Sequence, residues 1–291
     1  MQKFKRRLSP YLAVFFILLQ AILSLSTFNL LQVKAQMPFY DLQPKDLQLR
    51  ATFFTSYPTS SEERKSNIAL ATKSINNYFV DVGAEFSFNQ AVGPRTEKRG
   101  YKSAKIIANG KFVDGIGGGV CQVSTTLYNA VLLAGLQISE YHAHSLPVSY
   151  VAPSFDAMVN SGSADLRFVN NTKNPIILQA KADDTTLKIS ILGEPMKEKY
   201  IRQSVIKEYI APPTEQIIYD EKGEFPSLFE GEKKVLSYGK QGYISQASLI
   251  KTINGKVTGV KQLRQDKYSP IRGITIVGTA VKPPEALEEQ A

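Results

Sequence analysis

The sequence predicts an α+β fold: a mixed domain in which a helix follows a glycine-rich loop, joined to a small elongated all-β module on the C-terminal side. Three observations carry this. Gly115, Gly117, Gly118 and Gly119 run into Cys121, after which Leu127, Ala130, Val131, Ala134 and Leu136 recur at roughly the spacing of one helix face. Alternating or apolar runs at Arg50 to Tyr57, Asp165 to Phe168, Pro175 to Ala180 and Thr186 to Leu192 read as strands around that segment. From Gly193 the composition shifts, and Gly231, Gly239, Gly242, Gly255, Gly259, Gly273 and Gly278 punctuate short alternating runs with little helical pattern. The expected division is residues 36–195 for the mixed domain, 196–282 for the β module and 283–291 for a tail. A chain of 291 residues is long enough to bury a core in each.

Residues 1–35 read as an export segment. Lys3, Lys5, Arg6 and Arg7 precede an apolar run from Leu8 to Leu31, and Val33-Lys34-Ala35 offers a small residue ahead of a cleavage point. The run approaches the roughly 20 residues that cross a bilayer, so a retained membrane anchor stays open beside a cleaved signal peptide. Basic residues on its N-terminal side put that end in the cytoplasm and the remainder outside. No cysteine follows the run, which argues against lipoprotein anchoring. The formal charge is +9, of which the five cations of residues 1–35 leave +4 for Gln36 to Ala291. That balance suits an anionic wall or membrane surface. Without an arginine-rich helix, zinc-ligand spacing or aromatic-basic interleaving, it excludes a nucleic-acid partner.

The elements follow in order. Ser60-Ser61-Glu62-Glu63 starts a helix, with Ser60 as cap and Ile68, Ala71, Thr72 and Ile75 on one face; Asn76-Asn77 ends it. Phe86-Ser87-Phe88-Asn89 alternates like a strand. Ala104 to Ala108 and Lys111 to Val113 flank Asn109-Gly110 as a hairpin that delivers the glycine loop. Ser124 to Thr126 are weak helix formers, so the helix is expected mainly from Leu127, with its start near Cys121 and its stop at Gly135. Gln137 to Glu140 and Pro147 to Val151 read as strands flanking His142 and His144, which share one side of an extended segment.

Cys121 is the only cysteine and stands with the only two histidines in one stretch. Amides at a helix start stabilise negative charge and lower a thiol pKa, and glycines let the backbone approach a ligand. A later histidine supplies a base. The plainer reading is a small residue filling a gap beneath a glycine turn. In an oxidising compartment a lone cysteine has no internal disulfide partner, which sets it apart without deciding between the two. Cys121, His142 and His144 are too few for a convincing zinc set, and no metal or cofactor is expected.

The run from Gly117 to Ala130, Gly-Gly-Gly-Val-Cys-Gln-Val-Ser-Thr-Thr-Leu-Tyr-Asn-Ala, resembles the signature of the VanW-like domain of bacterial envelope proteins, a family named from a vancomycin-resistance cluster. The resemblance extends to Phe86 to Asn89, Val92-Gly93, His144-Ser145, Tyr150, Asp156-Ala157, Asp165-Leu166, Phe168 and Asn170 to Thr172. It implies cell-envelope placement and assigns no reaction. By motif position His144 matches and His142 does not. The chain departs from the family at Val82-Gly83-Ala84, Tyr141 and Phe155, where Pro-Gly-Glu, arginine and glycine are usual. The C-terminal segment resembles the G-five domain through Lys240-Gln241-Gly242, Asn254-Gly255 and Ile276 to Thr279, which implies adhesion to amino-sugar polymers. Tyr238 and Tyr243 are candidate sugar-stacking residues.

Three function classes follow. In a cysteine-dependent acyl-transfer or amide-cleaving enzyme on peptidoglycan or its precursors, Cys121 is the nucleophile, His144 the base and Asp156 its orienter, with Gln122 and loop amides as oxyanion donors. The order cysteine, histidine, acid also resembles transglutaminase-like and papain-like enzymes. In a binding module, Gly117, Gly118, Gly119, Gln122, Ser124, Thr125 and Asn89 grip a stem peptide or sugar. The third class is an envelope scaffold.

Overall fold

The computed structural model describes residues 47–281 apart from Asn109. The export segment, the Asn109 side of the hairpin turn and the tail lie outside the described residues. Strands β1 (Gln48–Ser56), β2 (Tyr78–Val80), β8 (Ile176–Ala182) and β9 (Thr186–Gly193) form an antiparallel sheet in the order β1-β9-β8-β2. Its inner face buries Ala51, Thr55, Leu178, Leu187, Ile189 and Ile191. Helix α1 (Glu62–Ile75) packs against β8 through Ile68, Ala71 and Ile75. Its cap is Ser61 rather than Ser60, because the Ser60 hydroxyl accepts from Arg64 Nη1 at 2.7 Å. Asn76 ends it as expected.

Phe86 to Asn89 is a strand only in its first half. After β3 (Glu85–Ser87) the chain turns into helix α2 (Phe88–Val92). The Ser87 hydroxyl accepts from the Gln90 amide at 3.1 Å and Asp165 accepts from the Asn89 amide at 2.8 Å. These acceptors for first-turn amides outweigh the alternating pattern. Phe86 and Phe88 are both buried. Strand β3 joins β6 (Gln137–Glu140) and β7 (Arg167–Val169) in the order β3-β7-β6. Pro147 to Val151 forms no strand and instead runs irregularly along a groove.

The hairpin β4 (Ser103–Ala108) and β5 (Lys111–Ile116) leads straight into the glycine loop. Helix α3 (Val120–Leu133) then begins seven residues before Leu127 and is buried on nearly every face. Tertiary partners override the low propensity of its polar residues. Thr126 Oγ1 meets Thr55 Oγ1 at 2.8 Å, and Asn129 Nδ2 donates to Phe155 O at 2.8 Å. Gly119 caps the helix at φ 108°, a left-handed conformation that favours glycine. Gly118 backs onto β4: a Cβ there would lie 2.7 Å from the Lys105 carbonyl oxygen.

The C-terminal strands are longer than the short runs suggest. Strands β10 (Glu198–Ile210), β13 (Gly242–Ile253) and β14 (Lys256–Tyr268) have 13, 12 and 13 residues and pair antiparallel in the order β10-β13-β14. Gly259 sits inside β14 opposite Lys251 rather than at a turn. Strands β11 (Gln216–Tyr219) and β12 (Lys233–Ser237) flank β15 (Ile274–Val277), with β11 parallel to it. Ala247 and Leu249 of β13 belong to the same hydrophobic core as α3 and the four-stranded sheet.

Overpacking against backbone makes Gly118→Ala destabilising by about 1–3 kcal/mol. Gly162→Ala, with nothing within 4 Å of the new Cβ, should stay within about 0.5 kcal/mol of the parent. Denaturant unfolding of the two variants checks the pair.

Candidate functional site

The start of α3 and the irregular segment after β6 meet at one wall of a groove of about 1450 Å³. Cys121, the second residue of α3, is part-exposed on this wall, and its sulfur donates to Val159 O at 3.3 Å. His144 lies beside it and is buried apart from its groove edge. His144 Nδ1 donates to Asp156 Oδ2 at 2.7 Å, and the His144 main-chain amide donates to the same oxygen at 2.7 Å. With Nδ1 engaged by Asp156, the ring's remaining interaction is with Cys121, on the same groove wall. His142 does not share this side. Its segment belongs to no strand, and the ring pairs with Glu140 at 2.9 Å instead.

Asp156 is buried behind the histidine, and its other oxygen is held from the C-terminal sheet. Arg264 Nη2 of β14 donates to Asp156 Oδ1 at 3.0 Å and Arg264 Nη1 to the Asp156 carbonyl at 2.8 Å. Tyr268 Oη, at the end of β14, donates to Oδ1 as well. Arg264 lies beside the rings of Tyr128 and Tyr141, at 5.7 and 4.8 Å. Tyr141, one of the departures from the family pattern, thus helps enclose the guanidinium. Phe155, another departure, fills the core beneath Arg202, whose guanidinium stands 4.9 Å from its ring centre. Ser154 adopts φ 61° and is fixed by its amide donating to Tyr268 Oη at 2.8 Å and its hydroxyl meeting Ser245 Oγ at 2.6 Å.

The charges follow from these contacts. Burial alone would raise the Cys121 thiol, but the hydrogen bond and positive charge of His144, with the charge of Arg95, hold it below the usual thiol value. Burial would lower the His144 imidazole, yet its bonds to Asp156 and Cys121 lift it to about 9. Burial opposes ionisation of Asp156; His144 and Arg264 more than offset this and keep its carboxyl below the ordinary range. The thiol is thus drawn down while the imidazole is drawn up, so the two shifts favour charge separation between sulfur and ring, with the Asp156 carboxylate behind them.

The other residues singled out in the sequence divide between wall and framework. Gly117 and Gly119 line the groove, whereas Gly118 faces β4. Gln122 has both amide hydrogens committed, through Nε2 to Thr55 Oγ1 at 2.9 Å and Ser56 O at 3.2 Å, while its oxygen accepts from Arg64 Nη2 at 2.7 Å. Its amide is therefore unavailable to an oxyanion in this arrangement. Ser124 Oγ donates to Ala157 O at 2.6 Å and Thr125 Oγ1 accepts from Ala157 N at 2.9 Å, which ties the Asp156 segment to α3. Asn89 donates to Asn160 O and Ala164 O, both at 2.9 Å, and accepts from Arg95 Nη2. Tyr238 is exposed and Tyr243 lines the groove. Sequence reasoning missed Arg64, Arg95, Arg264 and Tyr268; no local spacing marks them.

Residues 63–192 match the family described as VanW like protein, and residues 202–280 match the G5 domain. Over 179 residues the chain is 40% identical to "Uncharacterized protein YoaR" of Bacillus subtilis (strain 168), covering 58% of this chain and 59% of that one. Over 143 residues it is 29% identical to "Vancomycin B-type resistance protein VanW" of Enterococcus faecalis (strain ATCC 700802 / V583), covering 47% and 50%. The chain thus spans between 50% and 59% of the length of these curated relatives. The solved "IgA1 Protease G5 domain structure" is 22% identical over 28% of this chain and 90% of that one, with a TM-score of 0.19. Cys121, His144 and Asp156 fall in the first matched segment and Arg264 and Tyr268 in the second. The chain carries a VanW-like domain followed by a G5 domain.

Proposed function

We propose that this protein is a cysteine-dependent acyl-transfer enzyme acting on amide bonds of peptidoglycan or its precursors, outside the cytoplasm. The observation that carries this reading is the series Cys121, His144, Asp156 at the wall of a groove, with the acid immobilised from a separate strand. The wall substrate is supported by the relative named as a vancomycin resistance protein and by the basic, then apolar, start of the sequence. A binding module has no need of an ionised thiol paired with a protonated ring, so binding to the groove and to amino-sugar polymers through the G5 segment is secondary here.

The chemistry balances without a cofactor. The Cys121 thiolate attacks the amide carbonyl carbon and the carbonyl electrons move to oxygen. The main-chain amide of Cys121, in the first turn of α3 and without an intrahelical partner, is the donor placed for that oxyanion in place of Gln122. Collapse breaks the carbon–nitrogen bond as His144 Nε2 gives its proton to the departing amine, which leaves a thioester on the sulfur. A water or a second amine then adds to the thioester, returns a proton to His144 and releases the thiolate.

Iodoacetamide should modify native Cys121 with an apparent pKa below the free-thiol value of about 8.5. Asp156→Asn and His144→Gln remove the charge that holds the thiol down, so each should slow modification at pH 7 about tenfold or more, one pKa unit being tenfold in thiolate. Tyr268→Phe removes one donor to Asp156 and should slow it less. Reaction only after denaturation would make Cys121 a packing residue and end the proposal.

With muropeptides as substrate, intact-mass measurement should detect an acyl adduct on the wild type and none on Cys121→Ala. The rate should fall on the alkaline side near pH 9, where His144 loses the proton that the leaving amine needs, and on the acid side as the thiolate is protonated.

A further inference from the structure

We propose that Arg64 and Arg95 form a carboxylate-binding subsite beside Cys121, so that the amide attacked lies next to a free carboxylate of the substrate. The inference rests on Cys121 being the nucleophile and adds the chemical class of what it attacks.

The groove wall carries Arg64, Arg95, Lys105, Lys240 and Lys267 and no aspartate or glutamate. Lys105 already pairs with Asp114 at 3.0 Å. Among the described residues, Arg64 and Arg95 have only neutral hydrogen-bond partners. Arg64 donates to Ser60 Oγ and Gln122 Oε1, both at 2.7 Å, and Arg95 donates to Asn89 Oδ1 at 2.7 Å. These contacts orient each guanidinium without neutralising it, and most of its five N–H donors are left for a ligand. Arg167 and Arg264, by contrast, sit against carboxylates.

Position ties the two cations to the reacting sulfur. A Cβ at Gly117 would lie 3.1 Å from Arg95 Cβ, and one at Gly119 would lie 3.0 Å from Arg64 Cγ. The glycines before Cys121 are therefore what lets both arginine stems lie against the loop. Arg64 is also hydrogen-bonded to Gln122, the neighbour of Cys121. Burial is the largest influence on both guanidinium groups and lowers their pKa values, only partly opposed by Cys121 and, for Arg95, by Asp165, which marks cations held partly out of water with no carboxylate bonded to them. A planar fork matches a carboxylate in a bidentate way. An anion bound there shares the groove wall with Cys121, which fits the terminal carboxylate of a peptide whose last amide is cleaved or exchanged.

Paired alkylating agents separate this from the parent reading. Iodoacetate and iodoacetamide deliver the same carbon to sulfur and differ in carrying a carboxylate or a neutral amide. An unassisted thiolate shows no preference for the anionic reagent, because like charges repel. On the full chain, iodoacetate should react faster and with saturation, and Arg64→Gln or Arg95→Gln should each cut the iodoacetate-to-iodoacetamide rate ratio about tenfold. The ratio in the wild type requires no variant to fold. Fast, low-pH reaction with iodoacetamide but no preference for iodoacetate would overturn the subsite and leave the nucleophile standing. No native reaction with either reagent would overturn both. Loss of the preference in Lys240→Gln/Lys267→Gln with both arginines intact would assign it to the diffuse groove charge and overturn the subsite. Protection by inorganic phosphate at lower concentration than by acetate would overturn the choice of carboxylate.

Discussion

The buried Asp156 carboxylate is the constraint around which the rest of the molecule is arranged. A carboxylate withdrawn from water costs several kcal/mol unless donors replace its hydration. Here four donors do so: the His144 amide and ring on one oxygen, Arg264 and Tyr268 on the other. The acid therefore stays charged, and its charge holds a proton on His144, which in turn favours the thiolate. Each link depends on the one behind it, so the charge balance at the groove wall is tied to a strand on the far side of the acid.

Helix α3 shows the same economy in the framework. It has no aspartate, glutamate, lysine or arginine and is buried nearly all round, yet Ser124, Thr125, Thr126 and Asn129 lie within it. Every one of these polar side chains is satisfied, three of them by the 155–157 backbone that carries Asp156. A buried polar group left unpaired costs more than the bond itself contributes. The polar residues thus fix the register of the Asp156 segment against the helix that carries Cys121, and purely apolar packing would leave that register loose.

This explains what could be read from the sequence. The glycine loop, the hairpin before it, the strands from 165 to 193 and the association of Cys121 with His144 and Asp156 were legible because their signals are local or belong to one recognisable stretch. The start of α3 near Cys121 was legible too, but the regular helix through Ser124 to Thr126 was not, because propensity disfavours these residues and only distant partners reverse that. The half-strand at Phe86 to Asn89 was misread for a related reason: Asp165, far along the chain, accepts the amide that starts the turn. Arg264 and Tyr268 left no local trace, since they meet Asp156 across 108 and 112 residues. Gln122 looked like a donor for chemistry because sequence shows its neighbour Cys121 but not Thr55 and Ser56, which take its hydrogens.

The long pairing between Asp156 and β14 also changes what the C-terminal segment is for. A G5 segment tethered as a separate adhesin would present its strands to a polymer and leave the preceding domain self-sufficient. In this chain Ala247 and Leu249 enter the common core, Ser245 fixes the left-handed Ser154, and Arg264 with Tyr268 supplies the donors that keep Asp156 ionised. With Arg264 and Tyr268 removed from that buried setting, the carboxylate would keep only the His144 donors. Desolvation would then favour its neutral form and remove the charge that holds the His144 proton. The C-terminal sheet is therefore part of the electrostatics around Asp156 and His144 as well as of the core.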